Sequence, residues 1–142
     1  MKEFEELINS NSNVLTGNKQ KDYNSLVFAF VGDAVHTLFV RTYLAEQSTA
    51  MAGKLHSLTS KHVNAGSQAK LLDSMTDMFT EEELQIIKTA RNVKNKTIAK
   101  HASIEDYKKA TGFEALIGYL YLTGKNERLI EILEKSKGYM GK

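Results

Sequence analysis

Two apolar stretches of this 142-residue chain each hold a single carboxylate, and that pairing limits what the chain can fold into. Asp33 lies within Leu26-Val27-Phe28-Ala29-Phe30-Val31-Gly32-Asp33-Ala34-Val35, and Glu114 within Gly112-Phe113-Glu114-Ala115-Leu116-Ile117-Gly118-Tyr119-Leu120. Stretches this apolar are expected to pack on most sides, where an unpaired carboxylate costs several kcal/mol. The acids must be paired, protonated or given a cation. On a helix, Ala29, Phe30, His36, Thr37 and Val40 share a face with Asp33; Tyr107, Ala110, Thr111, Ile117, Gly118 and Tyr121 share one with Glu114. Neither set includes a lysine or arginine. Gly32 precedes Asp33 and Gly118 lies one turn beyond Glu114, so two helix backbones can approach closely and bring the acids together. A divalent cation relieves both the burial and the mutual repulsion. Magnesium suits the donor set, because it takes one or two carboxylates, keeps several waters and completes its shell with phosphate oxygens. The bland alternative, for either residue alone, is a structural acid bonded to a tyrosine or to helix-end amides.

The frame around these stretches reads as all-α. Proline is absent, and no strand-like alternation, internal repeat or low-complexity tract occurs. The pattern predicts seven helices: residues 2–9, 25–46, 51–64, 65–74, from the Thr80 cap to 91, from the Ser103 cap to 122, and 126–137. Thr80 with Glu83 forms a capping box, and Ser103 with Asp106 repeats the logic. Glu81, Glu82 and Glu83 fall in a first turn, where the helix dipole and water suffice to explain them. Helix 25–46 is apolar on nearly every face in its first half and is expected to be the central, buried element. Residues 1–142 fit a single domain, with two buried core helices carrying Asp33 and Glu114.

Composition narrows the function. No cysteine is present, which excludes disulfides and any thiolate nucleophile or metal ligand. No apolar run approaches the ~18 residues of a membrane span. The acidic start, Met1-Lys2-Glu3-Phe4-Glu5-Glu6, is unlike a secretory or transit peptide, so a cytoplasmic location is expected. The formal charge is only +2, but residues 84–104 contain no acid and carry Lys88, Arg91, Lys94, Lys96, Lys100 and His101. A positive segment inside a near-neutral domain is a local device. Arg91, Asn92, Lys94, Lys96 and Lys100 are candidates for nucleic-acid backbone contacts, since phosphate neutralisation supplies most sequence-independent affinity. His36 stands one turn after Asp33 and reads as a packed or partly exposed histidine before a metal ligand.

The residues around both acids also carry a resemblance. Phe30-Val31-Gly32-Asp33-Ala34-Val35 resembles the signature of the ribonuclease III catalytic domain, and Glu114-Ala115-Leu116-Ile117-Gly118 resembles that family's second acidic motif. Their order and separation of about 80 residues match as well. Arg91-Asn92, followed by Ala110-Thr111-Gly112-Phe113-Glu114-Ala115-Leu116-Ile117-Gly118-Tyr119-Leu120, resembles most the short bacterial branch, Mini-ribonuclease III. Typical family members have further acids at the positions of Leu26, Ala29 and Thr111, so only Asp33 and Glu114 of the usual cluster remain. The double-stranded-RNA-binding domain of full-length relatives has no counterpart in residues 1–142.

What the resemblance implies is specific. The fold would be an all-α ribonuclease III-like endonuclease domain. The activity would be magnesium-dependent cleavage of double-stranded RNA, leaving 5′-phosphate and 3′-hydroxyl ends, with Asp33 and Glu114 as catalytic, metal-holding residues. The partner set would be a second copy of the chain, as a homodimer, and a large-subunit (23S) ribosomal RNA precursor. Two other classes compete. One is a catalytically silent ribonuclease III-like RNA-binding module. The other is an all-helical nucleotide pyrophosphohydrolase, which needs Glu-x-x-Glu spacing that the apolar segments lack.

Overall fold

The computed structural model describes residues 24–47, 51–93 and 103–140. They form α1 (Asn24–Gln47), α2 (Ala52–Val63), α3 (Ala65–Met75), α4 (Glu81–Arg91), α5 (Ile104–Leu122) and α6 (Asn126–Ser136), with short 3-10 turns at Thr76–Met78 and Lys137–Tyr139. No strand occurs among the described residues. Six of the seven expected helices are therefore present with ends shifted by a residue or two, and the expected helix at 2–9 lies outside the described residues.

Local chemistry explains the breaks. Asn64 closes α2 and opens α3: its side chain accepts from Ser67 N at 2.8 Å and donates to Ser60 O at 2.8 Å. At α4 the capping box is complete, with Glu83 N donating to Thr80 Oγ1 at 3.1 Å and Thr80 N donating to Glu83 Oε1 at 2.9 Å. Ser103 Oγ accepts from Asp106 N at 3.0 Å and opens α5. That helix ends on Gly124, whose φ of +73° is the left-handed conformation glycine adopts freely. Lys125 N then donates to Leu120 O at 2.9 Å and Gly124 N to Tyr121 O at 3.2 Å, which satisfies two of the free carbonyls.

The central element is α5, not α1. Phe113, Ala115, Leu116 and Ile117 are fully enclosed, and α5 packs on α1, α3, α4 and α6. Its core partners include Leu71, Leu72 and Met75 from α3, Ile87 from α4, and Leu129, Ile132 and Leu133 from α6. In contrast, α1 buries one stripe, Phe28, Ala29, His36, Val40 and Leu44. Phe30 and Leu38 on its other side are 80% and 64% exposed. The expectation that α1 is enclosed on nearly every face thus needs correction, because its outer face has no neighbour within the described chain.

The acidic first turn of α4 also does more than face water. Glu83 is 5% exposed, and Arg128 of α6 grips its carboxylate with two bonds of 2.7 Å each. Arg128 Nη2 also donates to Met78 O at 2.6 Å, tying α6 to the turn before α4. The paired guanidinium, foremost through its hydrogen bonds, holds the Glu83 carboxyl below its usual range. Glu82 takes Lys125 Nζ at 3.0 Å and Tyr119 OH at 2.9 Å.

Candidate active site

The site is built where α1 crosses α5. A Cβ placed on Gly32 would lie 1.7 Å from Glu114 O, and one on Gly118 would lie 1.8 Å from Phe28 O. No side chain fits at either position, so the two backbones touch at the closest approach helices allow. Asp33 follows Gly32, and Glu114 stands one turn before Gly118. The crossing that needs both glycines therefore places the two carboxyl groups within hydrogen-bonding reach of each other.

Their environments differ. Asp33 is exposed, contrary to the expectation of a packed acid, because it faces outward at the edge of the crossing. Glu114 is partly buried, and its carboxyl is pushed up to about 9, first by burial and then by Asp33 beside it. Without a cation, Glu114 keeps a proton at neutral pH and donates it toward Asp33. Among the described residues, no lysine or arginine forms an ion pair with either acid.

Two carboxylates in contact, one of them holding a proton against its normal acidity, form a donor set suited to a hard divalent cation. Among the described residues no cluster of three or more His, Cys, Asp or Glu could hold a metal. Magnesium, which retains waters and borrows phosphate oxygens, fits a pair. Asp33 and Glu114 would hold it.

Around Glu114 the structure adds two groups. Gln68 of α3 sends Nε2 to within 3.5 Å of Glu114 Oε2 and 3.1 Å of His36 Nδ1. The packed reading of His36 is correct, for it is almost wholly buried and stands edge-on to Phe113 at 5.1 Å between ring centroids. Gln68 was not singled out by sequence. Its signal was a lone amide at the i−3, i−4 and i−7 positions of Leu71, Leu72 and Met75, a polar residue on an apolar stripe.

Of the candidate RNA contacts, Arg91 ends α4, half-buried, with its stem beside Gly112 of α5, and Asn92 is its exposed C-cap. Lys94, Lys96 and Lys100 lie outside the described residues. Arg91 and Asn92 thus stand at the C-terminal end of α4.

An all-helical domain with facing carboxylates at a two-glycine crossing defines a class that comparison with known proteins makes specific. The ribonuclease III domain family matches residues 26–125. Mini-ribonuclease 3 of Clostridium tetani is 44% identical over 115 residues, covering 80% of this chain and 76% of that one. The Thermoanaerobacter sp. protein of the same name is 43% identical over 126 residues, 89% of each chain. That of Staphylococcus aureus is 41% identical over 120 residues, 83% of this chain and 90% of the other. A crystal structure of a Fusobacterium nucleatum protein superposes with a TM-score of 0.76 at 32% identity, covering 87% of this chain and 99% of that one. The chain belongs to the ribonuclease III family, on the side of its Mini-ribonuclease 3 members.

Proposed function

We propose that this protein is a magnesium-dependent endoribonuclease that cuts double-stranded RNA. The observation that carries the reading is the contact between Asp33 and Glu114 at the Gly32–Gly118 crossing, inside a ribonuclease III domain. When bound there, a divalent ion supplies Lewis acidity toward a phosphate oxygen and makes water a better nucleophile. The chain's own part is to keep the two carboxylates facing and to hold the duplex against them. Hydrolysis adds water at phosphorus and breaks the bond to the 3′ oxygen, so the ends are 5′-phosphate and 3′-hydroxyl.

Arg91, Asn92, Lys94, Lys96 and Lys100 make the backbone contacts in this reading. A-form RNA exposes 2′-hydroxyls and phosphates along a wide, shallow groove, and a basic segment reads that shape without reading bases. A second copy of the chain covers the outer face of α1, where Phe30 and Leu38 are exposed, so that each strand of the duplex meets one site. The physiological substrate is a large-subunit (23S) ribosomal RNA precursor, processed at its ends in the cytoplasm. Family membership supports this choice; no described residue selects that RNA.

The experiment is cleavage of a long RNA duplex by the wild type, Asp33→Asn and Glu114→Gln, with magnesium and with chelator. Each variant is expected to lose at least about a hundredfold in rate while still binding duplex, as removal of a charge-stabilising group does. Near-normal cutting by either variant refutes the assignment. Binding without cutting by the wild type would favour a silent RNA-binding module instead.

A further inference from the structure

Gln68 and His36 are 2% and 1% exposed and bonded to one another beside Glu114. Enclosing an amide and an imidazole costs free energy unless each is hydrogen-bonded, and aliphatic side chains of similar size would fill the space without that cost. Neither group caps a helix or closes a turn. Their bonds run instead toward Glu114.

The direction of those bonds is decided by chemistry. Gln68 Nε2, 3.1 Å from His36 Nδ1 and 3.5 Å from Glu114 Oε2, carries two protons and accepts nothing, so it donates to both. His36 Nδ1 must then offer a lone pair, which places the ring proton on Nε2. With the ring proton on Nε2, turning the amide over would set its carbonyl oxygen against the Nδ1 lone pair. The imidazole therefore fixes which way the amide faces, and the amide presents a donor to one oxygen of Glu114. Burial pushes His36 down to about 4 despite the pull of Asp33, so the ring remains a neutral acceptor.

We propose that Gln68 is a positioning residue for Glu114, with His36 holding the Gln68 amide in its working orientation. The inference rests on Asp33 and Glu114 being the metal-holding pair. It extends that pair with an outer relay that engages Oε2 and orients the carboxylate toward the cation. Such outer partners of a metal ligand affect metal affinity without touching the metal.

The test is direct Mn2+ binding to the full chain without RNA, followed by electron paramagnetic resonance, alongside metal-free thermal unfolding and cleavage kinetics. Gln68→Met keeps the volume and removes both donors. It is expected to fold, to bind Mn2+ about 10–100-fold more weakly, and to need correspondingly more metal for cleavage with KM for RNA unchanged. His36→Leu should weaken Mn2+ binding as well, and His36→Asn, whose Oδ1 can replace the lost acceptor, should restore it. Unchanged Mn2+ affinity in folded Gln68→Met overturns the proposal. If that variant does not fold, equal Mn2+ affinity in wild type and His36→Leu overturns it. Asp33→Asn and Glu114→Gln serve as controls. If they bind Mn2+ like the wild type, the metal-site reading itself fails; if they lose binding while Gln68→Met does not, only the positioning role fails.

Discussion

Glu114 is a carboxyl placed where its charge is unwelcome. Its folded value of about 9 lies well above the 4.5 of an unfolded chain, so between those limits the folded, metal-free protein holds a proton that the unfolded chain releases. Stability then falls as pH rises through that window. Glu114→Gln replaces the protonated acid by an amide that does not titrate, and removes this slope. We expect the metal-free wild type to lose unfolding temperature between pH 5 and pH 9 relative to Glu114→Gln, with the variant the more stable of the two at high pH. Added magnesium should raise the wild type alone, because only a ligand that prefers the folded state stabilises it. Parallel unfolding profiles across the pH range would contradict the proton assignment. The residue proposed to hold the metal is thus one the bare fold is expected to be better off without.

At the scale of elements, the crossing of α1 and α5 decides whether a site exists. Glycine to alanine inside a helix ordinarily gains up to about 1 kcal/mol through propensity. At Gly32 and Gly118 the added methyl would sit 1.7 and 1.8 Å from backbone oxygens of the other helix, which cannot rotate away. The clash wins, and should exceed the ~1–3 kcal/mol typical of overpacking because whole helices must separate. Gly32→Ala and Gly118→Ala are expected to unfold at markedly lower denaturant and to lose cleavage; Gly53→Ala, where nothing stands within 4 Å, should do neither. Near-wild-type stability of Gly118→Ala would show that the helices can slide apart. This crossing was legible in the sequence, because each glycine neighbours an acid by position or by one helical turn. The helix order and the Thr80, Ser103 and Gly124 boundaries were legible for the same reason: the signals are local. Gln68, the Arg128 grip on Glu83 and the exposure of Asp33 were not, since each depends on which elements meet in three dimensions. Sequence periodicity likewise marked the first half of α1 as apolar on nearly every face and could not say whether a chain segment or another molecule covers its second face.

For the whole molecule, that second face of α1 is the open question with a physical answer. Although no uninterrupted apolar run reaches membrane length, α1 taken as a whole helix is long and apolar enough to span a bilayer, a correction to the expectation from the sequence. Against this, Asp33 and the buried His36 lie along the helix, and its inner stripe is already packed on α5, so immersion would leave polar groups in hydrocarbon and strip away the core. A second copy of the chain solves the problem more simply. In the proposed dimer a two-fold axis across α1 would set Phe30, Ala34 and Leu38 of one protomer against the same face of the other, the self-complementary arrangement that closed dimers use. It would also place two Asp33–Glu114 pairs on one particle, as the proposed cutting of both strands of a duplex requires. Burying Phe30 and Leu38 contributes about 1.5–3 kcal/mol per fully covered side chain. Phe30→Glu and Leu38→Glu together would instead place four like charges at the symmetric contact, two from each protomer. Sedimentation of the wild type should give twice the chain mass and the double variant one. The monomer should keep its helical content, because both side chains are already exposed in the isolated chain. Cleavage by the monomer, where any survives, should nick one strand at a time. A monomeric wild type, or a double variant that remains dimeric, would remove α1 from the interface.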